Sequence, residues 1–272
     1  MNFRPLLLVP AFGILLSGCI INVNGANARS FSEHEQQELV IDANDLSSLV
    51  ARTGAGSLTI IGEAGLTQVQ VAADIYTYEG VEPTLTLLGT GNKAELIADF
   101  DSSFTVSFSN SPYIDLVVRV PAQMMLDIED GSGFIEIKGV DADMKINDGS
   151  GSLTIEGGRA LDITDGSGAI RLTNVGGAID LEDGSGDIEI ANVAGSVKIN
   201  DGSGGIMLEQ VKGDVWIDDG SGFMTVKAVQ GMVTIDDGSG DIRVEQSKGL
   251  KILESGSGSV SFDKIDGPVS MD

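Results

Sequence analysis

"DGSGDIEIANVAGSVKIN", residues 183–200, is one turn of the pattern that sets the fold. DGSG also stands at 130, 148, 165, 201, 219 and 237, with an altered copy, SGSG, at 255, so the steps are 18, 17, 18, 18, 18, 18 and 18 residues. Within the quoted unit apolar side chains fall at Ile188, Ile190 and Val193 before Gly195, and at Val197 and Ile199 after it. The next unit repeats them as Ile206, Leu208, Val211, Val215 and Ile217. Alternation with a period of two on both sides of a central glycine reads as two short, half-buried strands per unit. Such a unit cannot bury its inward face alone, so the units must stack. The expectation is an all-β chain, a β-solenoid (β-helix) of about 18 residues and two short strands per coil, with coils ~4.8 Å apart.

Outside the array the pattern loosens. "TGAGSLTIIGEAGLTQVQV" (53–71) looks like an earlier coil, with Leu58, Ile60, Val69 and Val71 in the same phase. "PTLTLLGTGNKAELIADF" and "YIDLVVRVPAQMMLDI" alternate as strands without a clean period. An irregular N-terminal β region over 37–128 is therefore expected to continue into the regular solenoid of 129–272 and to cap it, because an open end exposes a strand edge.

The chain of 272 residues carries 41 acidic and 16 basic side chains, for a formal net charge of -25. Such a field repels nucleic acid and anionic lipid. Glycine is abundant, at 37 residues, but the apolar fraction of 42% is ordinary, which favours many tight turns over disorder.

The opening stretch "MNFRPLLLVPAFGILLSGC" has one positive charge at Arg4, an apolar run and a small-residue stop at the only cysteine, Cys19. By length and flanks, residues 1–18 are a secretory signal peptide rather than a membrane span. Leu16-Ser17-Gly18-Cys19 resembles the bacterial lipobox, which implies cleavage before Cys19 and lipidation of its thiol. Acyl chains contribute about 0.8 kcal/mol per buried methylene, enough in combination for stable membrane anchoring. Ile20, rather than an aspartate, follows the cysteine; in a host with two membranes the resemblance implies the outer one. Residues 19–36 then form the lipidated cysteine and a tether with a reach on the order of 20 Å, and the lone histidine, His34, is expected there as a solvated residue.

The segment "VVRVPA" at 117–122, leading into a run of "GSGxIxI" units, resembles the putative-adhesin family of bacterial envelope proteins, related to head-GIN domains and of unknown function. The resemblance covers about residues 40–272 and implies a β-solenoid exposed on the cell envelope.

DGSG admits three readings. The first is turn chemistry: the aspartate accepts hydrogen bonds from amides two or three residues on, and the glycines tolerate positive φ. The second is calcium. Stacking aligns Asp130, Asp148, Asp165, Asp183, Asp201, Asp219 and Asp237 along one edge, where neighbouring carboxylates repel by roughly 3 kcal/mol per pair at an effective dielectric of about 20. Hard cations would relieve that repulsion; otherwise the carboxylates stay solvated, with hydrogen bonds lowering their pKa. The repeats-in-toxin β-roll is similar in coil length, but its ligand pattern has an aspartate in both half-coils, whereas the position after DGSG in this chain reads Phe134, Ser152, Ala169, Asp187, Gly205, Phe223 and Asp241, and the opposite turn lacks acids almost entirely. The third is catalysis by paired carboxylates, as in glycosidases; a regular ladder offers no unique pair. A non-enzymatic module without a cofactor is the expected outcome.

Outward strand positions are mostly of mixed charge, and Trp216 and Met207, with Phe223 in the next turn, break that pattern. If a surface binds an envelope protein or glycan, these three residues mark it.

Overall fold

The structure, a computed structural model, describes residues 31, 33–100 and 111–271. Among the described residues every regular element is a β-strand. From the first DGSG onward the chain winds as a parallel solenoid with two facing sheets. In the quoted coil, Ile188–Val193 leaves the DGSG corner in sheet A, and Val197–Asp201 returns in sheet B to the next corner. Each strand pairs in parallel with the equivalent strand one coil on, as in Ile190↔Leu208 and Ile199↔Ile217. The solenoid of about eighteen residues per coil is thus as the repeat predicts.

Register explains why the pattern repeats so closely. Across the DGSG coils the strands are parallel and, up to a register shift between Ile235 and Asp236 where that strand meets the next, in phase, so each inward position of one coil lies on the same position of the next. Ile135, Leu153 and Ile170 form one such column, and Ile128, Ile146 and Ile163 another, all essentially inaccessible to solvent. Burial of each such side chain stabilises by about 1.5–3 kcal/mol, and the columns merge into one continuous core.

The N-terminal region is built less simply than its sequence suggests. The strands are β1 (Glu33–Asp42), β2 (Ser48–Ala55), β3 (Leu58–Glu63), β4 (Gln68–Thr77), β5 (Pro83–Thr90), β6 (Lys93–Phe100), β7 (Tyr113–Pro121) and β8 (Met125–Lys138). β2 and β3 form a true coil lying against β8, with Thr53 opposite Asp130 and Leu58 opposite Ile135. The earlier coil inferred at 53–71 therefore exists as far as Glu63. Val69 and Val71 do not complete it: they lie on β4, which runs antiparallel to β7 and β1.

A further rung, made by β6 and β7, covers the far side of β2 and β3. The chain therefore lays one coil, builds the rung above it, and then crosses back to start the regular stack below. Antiparallel β1 and β4 close sheet A, and antiparallel β5 closes sheet B, so parallel edges are covered by strands of opposite direction. β1 begins within the expected tether. His34 is accordingly a strand residue, with Nε2 3.0 Å from Asp74 Oδ1 and its ring stacked on Tyr76 at 4.4 Å.

Candidate functional site

From Met144 to Asp237 each sheet B strand ends with its DGSG aspartate, Asp130 holds the same register position within β8, and the strand's own alternation decides where that side chain points. Val197-x-Ile199-x-Asp201 puts the carboxyl in phase with the two core residues. All seven aspartates are turned inward, with relative exposures from 0% at Asp237 to 8% at Asp130. They are also register partners in sequence, Asp130 with Asp148, Asp148 with Asp165, and so on to Asp219 with Asp237. The expected exposed acidic edge is therefore a buried column inside the corner.

Local turn chemistry holds one oxygen of most of them. Oδ1 of Asp148, Asp183, Asp201, Asp219 and Asp237 accepts the amide N–H of the serine two residues on, at 3.1–3.2 Å. Asp130 Oδ1 accepts the Thr53 hydroxyl, so the coil above the column ends it with a neutral donor. The corner itself is closed by glycine: at Gly204, where φ is +152°, a Cβ would stand 1.7 Å from the Gly186 carbonyl oxygen one coil back. This is the turn role read from the motif.

The second oxygens are the anomaly. Oδ2 of all seven aspartates, and Oδ1 of Asp165 as well, are buried without a hydrogen-bond partner. Burial pushes the carboxyls of Asp130, Asp148, Asp165, Asp201 and Asp219 up to about 6 from the ordinary 3.8. Asp183 and Asp237 are raised as well, again chiefly by burial. Like charges one coil away add to the effect, as Asp130 does on Asp148, while the serine and glycine amides oppose it. The expectation that hydrogen bonds would hold these pKa values down is thus reversed, because loss of hydration outweighs one or two amide donors. Among the described residues, no group of three or more His, Cys, Asp or Glu side chains is placed to hold a metal ion.

The three candidate surface residues do not meet. Met207 and Phe223 share the outer face of sheet A, Met207 on its strand and Phe223 at the corner entering the next. Trp216 lies on the outer face of sheet B, between Lys198 and Thr234. The Lys198 ammonium sits 6.0 Å from the indole centroid and hydrogen-bonds Asp180 at 3.0 Å. A groove of about 780 Å³ runs across the sheet B strands, with Met125, Lys145, Asp162, Asp180 and Lys198 among its lining. Trp216 and Met232 line a second hollow that shares Ser196 and Lys198 with it. The groove was not legible as a feature, since it follows from the small Ala160 and Ala178 standing beside longer side chains. Cys19, the signal peptide of 1–18 and the tether up to 30 lie outside the described residues.

A parallel solenoid with carboxyls in its inner corner and varied side chains on its outer faces defines a rigid repeat scaffold. Residues 103–213 match the family model "Toastrack DUF4097", which bears out the resemblance to the adhesin-like family of unknown function. Among solved structures, the chain is similar to a "putative lipid binding protein" from Parabacteroides distasonis ATCC 8503, at 19% identity and a TM-score of 0.55, over 86% of this chain and 96% of that one. It is also similar to a "putative adhesin" from Parabacteroides merdae ATCC 43184, at 13% identity and a TM-score of 0.50, with the same coverages of 86% and 96%. At these identities the likeness is one of fold. No curated protein matches the chain.

Proposed function

We propose that this chain is a lipid-anchored protein of the bacterial cell envelope, at the outer membrane, whose β-solenoid is a non-enzymatic, adhesin-like binding or structural module. The observation that carries the reading is a division of labour within each coil. The aspartate is identical in seven successive coils and turned into the core. The outward column of sheet B instead changes from Lys145 to Asp162, Asp180, Lys198, Trp216 and Thr234. Repetition thus serves the scaffold, and variation is left to the surface.

The anchor rests on the Leu16-Ser17-Gly18-Cys19 sequence, and the binding role on the groove of sheet B together with the adhesin and lipid-binding names of the similar solved proteins. Labelled palmitate fed to cells should enter the wild-type protein and not Cys19→Ala; incorporation that survives the substitution removes the anchor. Crosslinking on intact cells should then yield an envelope protein or glycan adduct that Trp216→Ala weakens while the melting temperature holds.

A second reading, calcium held along the aspartate column, draws on the eight unpartnered carboxyl oxygens. It requires a melting temperature that rises with calcium and falls with chelator.

A further inference from the structure

The unpartnered oxygens demand an occupant, and the geometry of the corner selects among those available. Calcium takes six to eight oxygen ligands. Between adjacent coils the column offers the carboxyls of two aspartates, with apolar core on one side and glycine backbone packed against the next coil on the other. A hydrogen ion needs no coordination shell. A carboxyl spans about 2.2 Å between its oxygens, so in a stack repeating every ~4.8 Å one aligned with the solenoid axis leaves about 2.6 Å to the next, the length of an O–H···O hydrogen bond.

We propose that the column from Asp130 to Asp237 is a binding site for hydrogen ions, loaded as the medium turns mildly acidic. Each proton comes from solvent and adds to one Oδ2; across each of the six gaps between the seven aspartates that O–H then donates to a carboxyl oxygen of the neighbouring coil. Loading converts a stack of mutually repelling carboxylates into a hydrogen-bonded ladder, and the solenoid becomes more stable in acid than at neutral pH. The direction of every resolved shift in the column agrees, all being upward.

The surroundings favour proton uptake over pairing. Among the described residues no cationic side chain forms an ion pair with the seven aspartates. The acids one residue earlier, Glu129, Glu182, Asp218 and Asp236, carry the same sign, and Arg52 is engaged by Glu129 at 2.9 Å. Asp218 and Asp236 push their neighbours further upward. Thr53 at one end donates a neutral hydroxyl, and Ser255 takes the aspartate's place in the last repeat.

The test uses the full chain. Infrared spectra of the wild-type protein should gain a protonated-carboxyl band between pH 7.5 and 5, slow to exchange in D₂O as a buried group must be. The melting temperature should rise over the same interval. In Asp183→Asn/Asp201→Asn/Asp219→Asn both changes should shrink by about half, while Asp127→Asn/Asp162→Asn, which removes two exposed carboxylates, should leave them in place. A wild-type melting temperature that is level or falls on acidification overturns the proposal. So does an equal loss in the exposed control, which would make the effect one of net charge. Stabilisation by calcium at pH 7.5 that the triple variant abolishes also overturns it, in favour of a metal ion. Should the triple variant not fold, absence of the exchange-resistant band in the wild type decides against the ladder.

Discussion

Asp201 and Asp219 lie opposite each other on neighbouring parallel strands, both with side chains in the core and both with an Oδ2 that meets no donor. Two ionised carboxylates about 5 Å apart repel by roughly 3 kcal/mol at an effective dielectric of about 20, and burial raises the cost of each charge. The scaffold thus stores a pH-dependent penalty at its most repeated position.

That penalty gives stability an unusual slope. A carboxyl with a higher pKa in the fold than in the unfolded chain favours folding in its protonated form. For the five aspartates raised to about 6, the contribution is complete below the ordinary 3.8 and fades as pH rises through about 6. A shift of this size corresponds to about 3 kcal/mol for one isolated group, and the sum over the column is smaller than that per group because neighbours titrate together. Urea unfolding should therefore show a higher midpoint at pH 4.5 than at pH 7.5; the reverse order would mean that the carboxyls are solvated.

Single substitutions at Asp201 should separate the charge from the turn. Asparagine keeps an acceptor for the Ser203 amide, 3.1 Å away in the wild type, and removes the charge. Asp201→Asn is expected to stabilise by about 1–3 kcal/mol at pH 7.5. Asp201→Ala also removes the charge but leaves that amide unsatisfied, so it should be less stable than the asparagine variant by about 1–2 kcal/mol. Equilibrium denaturation of the three proteins at pH 7.5 and at pH 4.5 checks both differences, and the gain of the asparagine variant should vanish at the lower pH.

The glycine corner predicts a loss. At Gly204 a methyl would meet the Gly186 carbonyl at 1.7 Å, whereas at Gly65 nothing lies within 4 Å of the added atom. Gly204→Ala should cost more than about 4 kcal/mol, and Gly65→Ala, with φ at +80°, about 1–2 kcal/mol. Thermal melts followed by circular dichroism distinguish the two.

The opposite corner predicts a gain. Asn174, Asn192, Gln210, Ala228, Gln246 and Lys264 all adopt positive φ near 55–62°. Asparagine tolerates this region better than other side chains with a Cβ, and Asn192 also hydrogen-bonds Asn174 one coil back at 3.2 Å. Ala228→Asn should raise stability by about 0.5–1 kcal/mol, read as a higher melting temperature.

Much of the fold was legible because a stacked coil repeats its own best solution. The DGSG spacing marks the corners, and the phase of Ile188, Ile190, Val197 and Ile199 marks the inward faces. The N-terminal cap was less so. Whether Val69 and Val71 run parallel or antiparallel to Leu58 is set by partners distant in sequence, and the alternation of β4 is the same in either direction.

The buried aspartates had a signal that hydrophilicity concealed. Ile199-x-Asp201, Ile217-x-Asp219 and Ile235-x-Asp237 keep the inward phase to the last residue of each strand. A charged side chain suggests solvent, but in a stack of this regularity the period is the stronger guide. Trp216 stands on the opposite sheet from Met207 and Phe223, although they are near in sequence, because a corner of the coil falls between their strands.

The most direct measurement is a carbon-13 NMR titration of the aspartate side-chain carboxyls in the intact protein. Midpoints near 6 are expected for Asp130, Asp148, Asp165, Asp201 and Asp219, well above that of Asp141, which the Arg159 guanidinium holds below the ordinary range. Midpoints for the five at or below 3.8 would show that their carboxyls face water, and would contradict the inward column.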